Sequence, residues 1–130
     1  MDINGKLYKK FLDRNKAYEQ QHGEVAADKQ HSKGKLTARE RIELLFDEGT
    51  FDEIDAFTRT APAESNFGKV VTAYGDGVII GHGKISGRNA FVYSQDFTVM
   101  GGSLGSVHAT KIAKIQDMAL KMGAPIIGII

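Results

Sequence analysis

No cysteine occurs among the 130 residues, which excludes a disulfide framework and thiolate chemistry. No apolar run approaches the roughly 20 residues needed to span a bilayer, and the polar, charged start lacks the apolar core of a signal peptide. Neither sign of charge is in excess: 17 basic against 16 acidic residues leave +1. That balance argues against a nucleic-acid footprint and against a polybasic membrane surface. These absences point to a cytoplasmic address with no direct membrane span. What is present, 42% hydrophobic and 25% charged residues, is the makeup of one soluble globular domain rather than of a disordered chain. Glycine is the clear excess, with 15 residues, most of them from Gly68 onward at expected strand ends and turns.

The chain reads as two zones. Residues 1–50 carry 19 of the 33 charged side chains, and Ile3, Leu7 and Phe11 recur at helical spacing with Leu12 beside them, predicting a helix that ends near Gly23. Residues 23–35 are polar apart from Val25, Ala26 and Ala27 and read as a linker or a frayed helix end. Thr37-Ala38-Arg39-Glu40 is a capping box, followed by the stripe Ile42, Leu45 and Phe46 and by a glycine stop at Gly49. Arg39 and Arg41 are assigned to the solvated face of that helix.

From Phe51 the period changes to two, as strands require. Strands are predicted over 51–54, 70–74, 78–85 and 90–97, with turns at 75–77 and 86–89, which makes an antiparallel meander. In the last of these, Phe91, Tyr93 and Phe97 share one face and Val92, Ser94 and Asp96 the other. Asp96 reaches the carboxyl end of a strand, where α/β folds place ligands, or else ties down the glycine turn or the helix N-terminus. Leu104, His108, Ile112, Ile115, Ala119 and Met122 then trace one helical face, closed by Gly123 and Pro125. On that helix His108 is read as a packed, locally bonded histidine, and Lys111 and Lys114 as solvated lysines or as partners of a polyphosphate over the preceding loop. Residues 125–130 form a continuous apolar run after a helix, the pattern of a parallel strand buried on both faces. The sequence is expected to be cut short there, where a second ligand-binding loop should begin.

Between strand and helix lie Gly101, Gly102, Ser103, Leu104 and Gly105. Backbone N–H groups at a helix start suit anionic ligand groups. The same residues fit G-x-S-x-G, the elbow of serine hydrolases, which would make Ser103 a nucleophile. After Ser103 the only histidine is His108 and the only acid is Asp117, both on the helix that the loop starts, so no triad closes in the required order. A binding loop is therefore preferred, while a serine hydrolase using Ser103 and a tight turn needing small residues stay open.

Three stretches carry a family resemblance: Gly34-Lys35-Leu36-Thr37-Ala38-Arg39-Glu40-Arg41-Ile42, Asp47-Glu48-Gly49-Thr50-Phe51, and the run from Ser94-Gln95-Asp96-Phe97 through Thr98-Val99-Met100 to Gly101-Gly102-Ser103-Leu104-Gly105. In order and spacing the chain from about residue 33 to 130 resembles the carboxyltransferase subunits of biotin-dependent acyl-CoA carboxylases, of propionyl-CoA carboxylase beta and methylmalonyl-CoA decarboxylase alpha type. The resemblance implies an α/β fold of ClpP/crotonase type, a superhelix of ββα units: an N-terminal helical segment over 1–50, then the beginning of the acyl-CoA carboxyltransferase N-domain over 51–130. It implies transfer of a carboxyl group between carboxybiotin and the α-carbon of an acyl-CoA such as propionyl-CoA. It assigns Gly101, Gly102, Ser103, Leu104 and Gly105 to the acyl-CoA pocket, with no catalytic side chain and no metal in this segment. Biotin would be carried on a partner, alongside biotin carboxyl carrier and biotin carboxylase components, and the full-length chain would be a homo-oligomer. The family's later glycine pair and its second domain are missing, so these residues alone are expected to be inactive. A sodium-pump decarboxylase alpha subunit and a non-catalytic truncated product are the alternatives within and outside the family.

Overall fold

The computed structural model describes residues 3–21, 23–58, 77–99 and 106–130. The elements run α1 (Ile3–Gln21), α2 (Glu24–His31), α3 (Ala38–Leu45), β1 (Asp52–Ile54), β2 (Val78–Ile85), β3 (Arg88–Gln95), α4 (Ser106–Met122) and β4 (Ile126–Ile129). The four strands form one sheet in the order β1-β2-β3-β4. β1 pairs antiparallel to β2, β2 antiparallel to β3, and β3 parallel to β4, with Phe91 opposite Ile126 and Ser94 opposite Ile129. The crossover through α4 is what permits the parallel pairing, giving a strand, strand, helix, strand unit. The strand predicted over 70–74 and the turn residues Gly75 and Asp76 lie outside the described residues.

Two cores flank the sheet. On one face Ala38, Ile42 and Phe46 of α3 and its C-terminal end pack on Ile79, Ala90 and Val92. On the other, Ile115 and Ala119 of α4 pack on Val78, Ile80 and Phe91. The alternation along β2 and β3 places these side chains, since successive strand residues point to opposite faces. Gly81 and Gly83 share the α3 face. A Cβ at Gly83 would lie 2.7 Å from Phe46 Cδ1, so the bare backbone is what admits the ring.

The capping box forms as read: the Glu40 amide donates to Thr37 Oγ1 at 3.2 Å and the Thr37 amide donates to Glu40 Oε2 at 2.8 Å. His31 Nε2 lies 2.8 Å from Glu40 Oε1. The His31 hydrogen bond and then the Thr37 amide hold the Glu40 carboxyl below its ordinary range. Residues 23–35 are not a linker, because α2 fills most of them. Glu24 in its first turn, Lys29 and His31 in its last, and Ala26 with Ala27 between them supply helix propensity and complement the macrodipole. The α3 stop also differs: extended backbone at Phe46 ends the helix, and Gly49, at φ 69°, serves the turn beyond it.

The β2–β3 turn is tighter than predicted. Ser86 (φ 50°) and Gly87 (φ 76°) make a two-residue loop, so β3 starts at Arg88 rather than Ala90. Asp47, at the end of α3, fixes that loop: its Oδ1 accepts from the Ser86 amide at 2.9 Å and its Oδ2 from the Gly87 amide at 2.8 Å. Its own amide donates to Lys84 O at 2.7 Å. Asp47→Ala is expected to lower unfolding free energy by about 1–2 kcal/mol, read as a lower urea midpoint at unchanged slope, because charge-assisted bonds to two turn amides are lost.

Candidate functional site

Gly101, Gly102, Ser103, Leu104 and Gly105 lie outside the described residues, and the geometry that can be built is that of the elements leading into and out of them. On the entering side, β3 ends at Gln95 and the chain turns through Asp96, Phe97, Thr98 and Val99. Asp96 is buried, its Oδ1 accepting from the Thr98 amide at 2.9 Å and from Thr98 Oγ1 at 2.6 Å, while its own amide donates to Gly77 O at 2.7 Å. The carboxylate thus closes the turn at Phe97 and Thr98, while the glycine residues that follow lie outside the described residues.

On the leaving side, α4 buries a face different in detail from the one predicted. His108, Lys111, Ile115 and Ala119 are buried, with Ile112 and Met118 partly so, while Met122 is exposed. His108 is 0% exposed, and its Nδ1 stands 3.4 Å from where a Cβ on Gly77 would be. It is a packed histidine against a glycine backbone. Lys111 is 2% exposed and its Nζ donates to Val78 O at 2.6 Å, so the ammonium braces α4 on the start of β2 and is not a solvated lysine. Amphipathic spacing missed this because a lysine stem buries well when its head finds a carbonyl. Lys114 pairs with Asp55 at 2.7 Å.

Two groups from the helical segment, Tyr18 of α1 and Arg39 of α3, converge on Glu53 of β1. The Tyr18 hydroxyl donates to Glu53 Oε1 at 2.7 Å, and Arg39 Nη2 donates to Glu53 Oε2 at 2.5 Å and to the Tyr18 oxygen. Burial, and then the Glu53 carboxylate, push the Tyr18 phenol well above its ordinary range, so it remains a donor. Burial works against the Arg39 charge, but Glu53 outweighs it and raises the guanidinium further. Arg39 therefore leaves the solvated face assigned to it, and with Tyr18 it docks α1 against β1. The Tyr18 and Phe11 rings also meet Phe57 edge-on, at 6.1 and 6.0 Å between centroids. No sequence spacing announces a triad drawn from residues 18, 39 and 53.

Phe97 does not continue the Phe91 and Tyr93 face, since the strand ends two residues before it. Its ring lies near Lys35 and Arg41, at 6.0 and 5.9 Å from the centroid to Nζ and Cζ. A cavity of about 340 Å³ there is lined by Lys35, Leu36, Arg41, Phe97 and Ile130. Both parallel strands, β3 and β4, end at this rim, the customary position for ligands in α/β sheets.

A family model described as "Carboxyl transferase domain" matches residues 29–130, more than half of the sequence. The chain belongs to this family. It is 50% identical over 123 residues to the propionyl-CoA carboxylase beta chain of Roseobacter denitrificans, covering 95% of this chain and 24% of that protein. It is 51% identical over 108 residues to the methylmalonyl-CoA decarboxylase subunit alpha of Veillonella parvula, covering 82% and 21%. Among solved structures it superposes on the transcarboxylase 12S hexamer core, crystallised with methylmalonyl-coenzyme A and methylmalonic acid bound, at TM-score 0.83 and 39% identity over 98% of this chain and 25% of that one. The chain thus spans about a quarter of the length of these relatives. The fold is the crotonase-like one of carboxyltransferases, and the strand, strand, helix, strand unit described above is its visible part. β4 departs from expectation in burial: it is half-buried, with Gly128 and Ile130 exposed, rather than enclosed on both faces.

Proposed function

We propose that this chain supplies an acyl-CoA-binding portion of a carboxyltransferase that moves a carboxyl group between carboxybiotin and the α-carbon of an acyl-CoA such as propionyl-CoA. The observation that carries this reading is the family match over residues 29–130 together with a superposition, over nearly the whole chain, on a transcarboxylase that holds methylmalonyl-coenzyme A. Residues 51–130 are the beginning of the acyl-CoA domain in this reading, and residues 1–50 a helical segment docked on it. Gly101, Gly102, Ser103, Leu104 and Gly105 border the acyl-CoA, and their backbone amides rather than an attacking side chain serve it, since carboxyl transfer through an enolate-like species calls for donors to developing oxyanions. Biotin arrives on a partner protein or domain, with biotin carboxylase as a further component, and the longer relatives' form is a homo-oligomer. Carboxylation and decarboxylation use the same groups in opposite directions.

The test is titration of the purified chain with propionyl-CoA, in parallel with a serine-directed phosphonate probe. Saturable binding that survives Ser103→Ala and is lost in Gly102→Val, with no phosphonate labelling, is the expected result. The chain alone is expected to give no biotin-dependent transfer. Labelling of Ser103, or the absence of any propionyl-CoA binding, would overturn the reading.

A further inference from the structure

We infer that Lys111 is a positioning residue for acyl-CoA binding: together with Gly77 it anchors the first two turns of α4 to the start of β2. This inference rests on the acyl-CoA reading above and names the groups that would hold that site in place.

Both flanks of residues 100–105 are fastened to one pair of neighbours, Gly77 and Val78. On the entering side the Asp96 amide donates to Gly77 O at 2.7 Å, and the Val99 amide donates to Asp96 O at 3.2 Å. Val99 is buried and lies against the bare backbone of Gly77, its carbonyl oxygen 3.6 Å from where a Cβ would be. On the leaving side His108 faces the same glycine from the first turn of α4, with Nδ1 3.4 Å from that position. One turn further on, Lys111 Nζ donates to Val78 O at 2.6 Å. Gly77 adopts φ 73°, a conformation that favours glycine, and so presents its carbonyl to Asp96 while leaving room for the imidazole.

An ammonium is an expensive filler for this space. Lys111 is 2% exposed, and taking its charge out of water is unfavourable unless a strong bond replaces the lost hydration. Packing alone would be met by an aliphatic side chain, as Ile115 and Ala119 meet it against Val78, Ile80 and Phe91. Such contacts are non-directional and leave a helix some freedom to slide and roll over a sheet. A charge-assisted bond of defined length and direction supplies what they lack, a fixed place for the start of α4 along β2. The neighbouring Lys114 shows the contrast, its side chain half-exposed and paired with Asp55. Backbone donors serve a ligand best when they are held in place before it arrives.

Lys111→Met, close to lysine in length, and Gly77→Ala test the inference through two readouts. The first is titration with propionyl-CoA and with propionyl-pantetheine, well below the unfolding transition of each variant. A helix start correctly placed about a tenth of the time binds about tenfold more weakly, and both variants should lose that factor for both ligands. An equal loss for the phosphate-free thioester separates positioning from attraction between the ammonium and the coenzyme's phosphates. The second is amide hydrogen exchange, which should quicken at residues 110–113, bonded to the carbonyls of the first turn, and stay at the wild-type rate at 118–122. Unchanged affinity for propionyl-pantetheine, or faster exchange along all of α4 in step with global stability, would overturn the positioning role and leave the acyl-CoA reading standing. Should Lys111→Met not fold, Gly77→Ala decides by the same two readouts. A wild type that binds neither ligand would overturn the acyl-CoA reading and the positioning role with it, an outcome seen without any substitution.

Discussion

Gly81→Ala is expected to lower the unfolding free energy by about 3 kcal/mol, at the upper end of overpacking costs, because the methyl group has nowhere to go. It would meet the Asp52 carbonyl oxygen, and Phe51 Cζ and Cε2 at 2.6 and 2.7 Å. A backbone oxygen cannot rotate aside as a side-chain end can. β1 would have to leave the ladder in which Glu53 faces Gly81, and Glu53 is the acceptor for Tyr18 and Arg39. The lesion should therefore reach α1 as well as the sheet. Urea unfolding followed by far-ultraviolet circular dichroism reads the stability, and limited proteolysis near α1 reads the second effect. A wild-type midpoint would mean that β1 contributes nothing to the cooperative unit.

Ile42→Ala should cost about 3 kcal/mol, within the span measured for removing buried aliphatic atoms and leaving a cavity. Ile42 is 1% exposed and sits in a cluster with Phe46, Ile79 and Val92. α3 is a short helix of 8 residues, too short to stand on propensity, so its place depends on this one packed face. Ile42→Val should keep most of the stability, which would tie the loss to packing. Stability within a few tenths of a kcal/mol of wild type would contradict the packing described here.

The parts of the fold set by local chemistry were legible beforehand. Thr37 and Glu40 announce a helix start because the box needs those two residue types three apart, and turn signals at 75–77 and 86–89 bracket β2 over Val78–Ile85. The apolar run at the end of the chain also signals a parallel strand, and β3 is the partner it pairs with. Other features depend on where distant segments meet. Lys111 is buried because Val78 O lies within its reach, and Arg39 is drawn inward by Tyr18 and Glu53, partners 21 and 14 residues away. Phe97 turned toward Lys35 and Arg41 because β3 ended at Gln95, and strand alternation cannot say where a strand stops. The glycine-rich motif pointed to a ligand, while the grouping of residues 35, 41 and 97 on one rim surfaced only in three dimensions.

The sheet has two such rims, and α3 runs from one to the other. At one end Asp47 and Thr50 hold the Ser86–Gly87 loop and Lys84; at the other stand Arg41, Gln95, Phe97 and Ile130. The fastening of the hairpin and the basic, aromatic rim are thereby separated by the length of a strand. Sequence drift at the hairpin end can adjust how firmly the domain holds together while the opposite end keeps its basic and aromatic side chains.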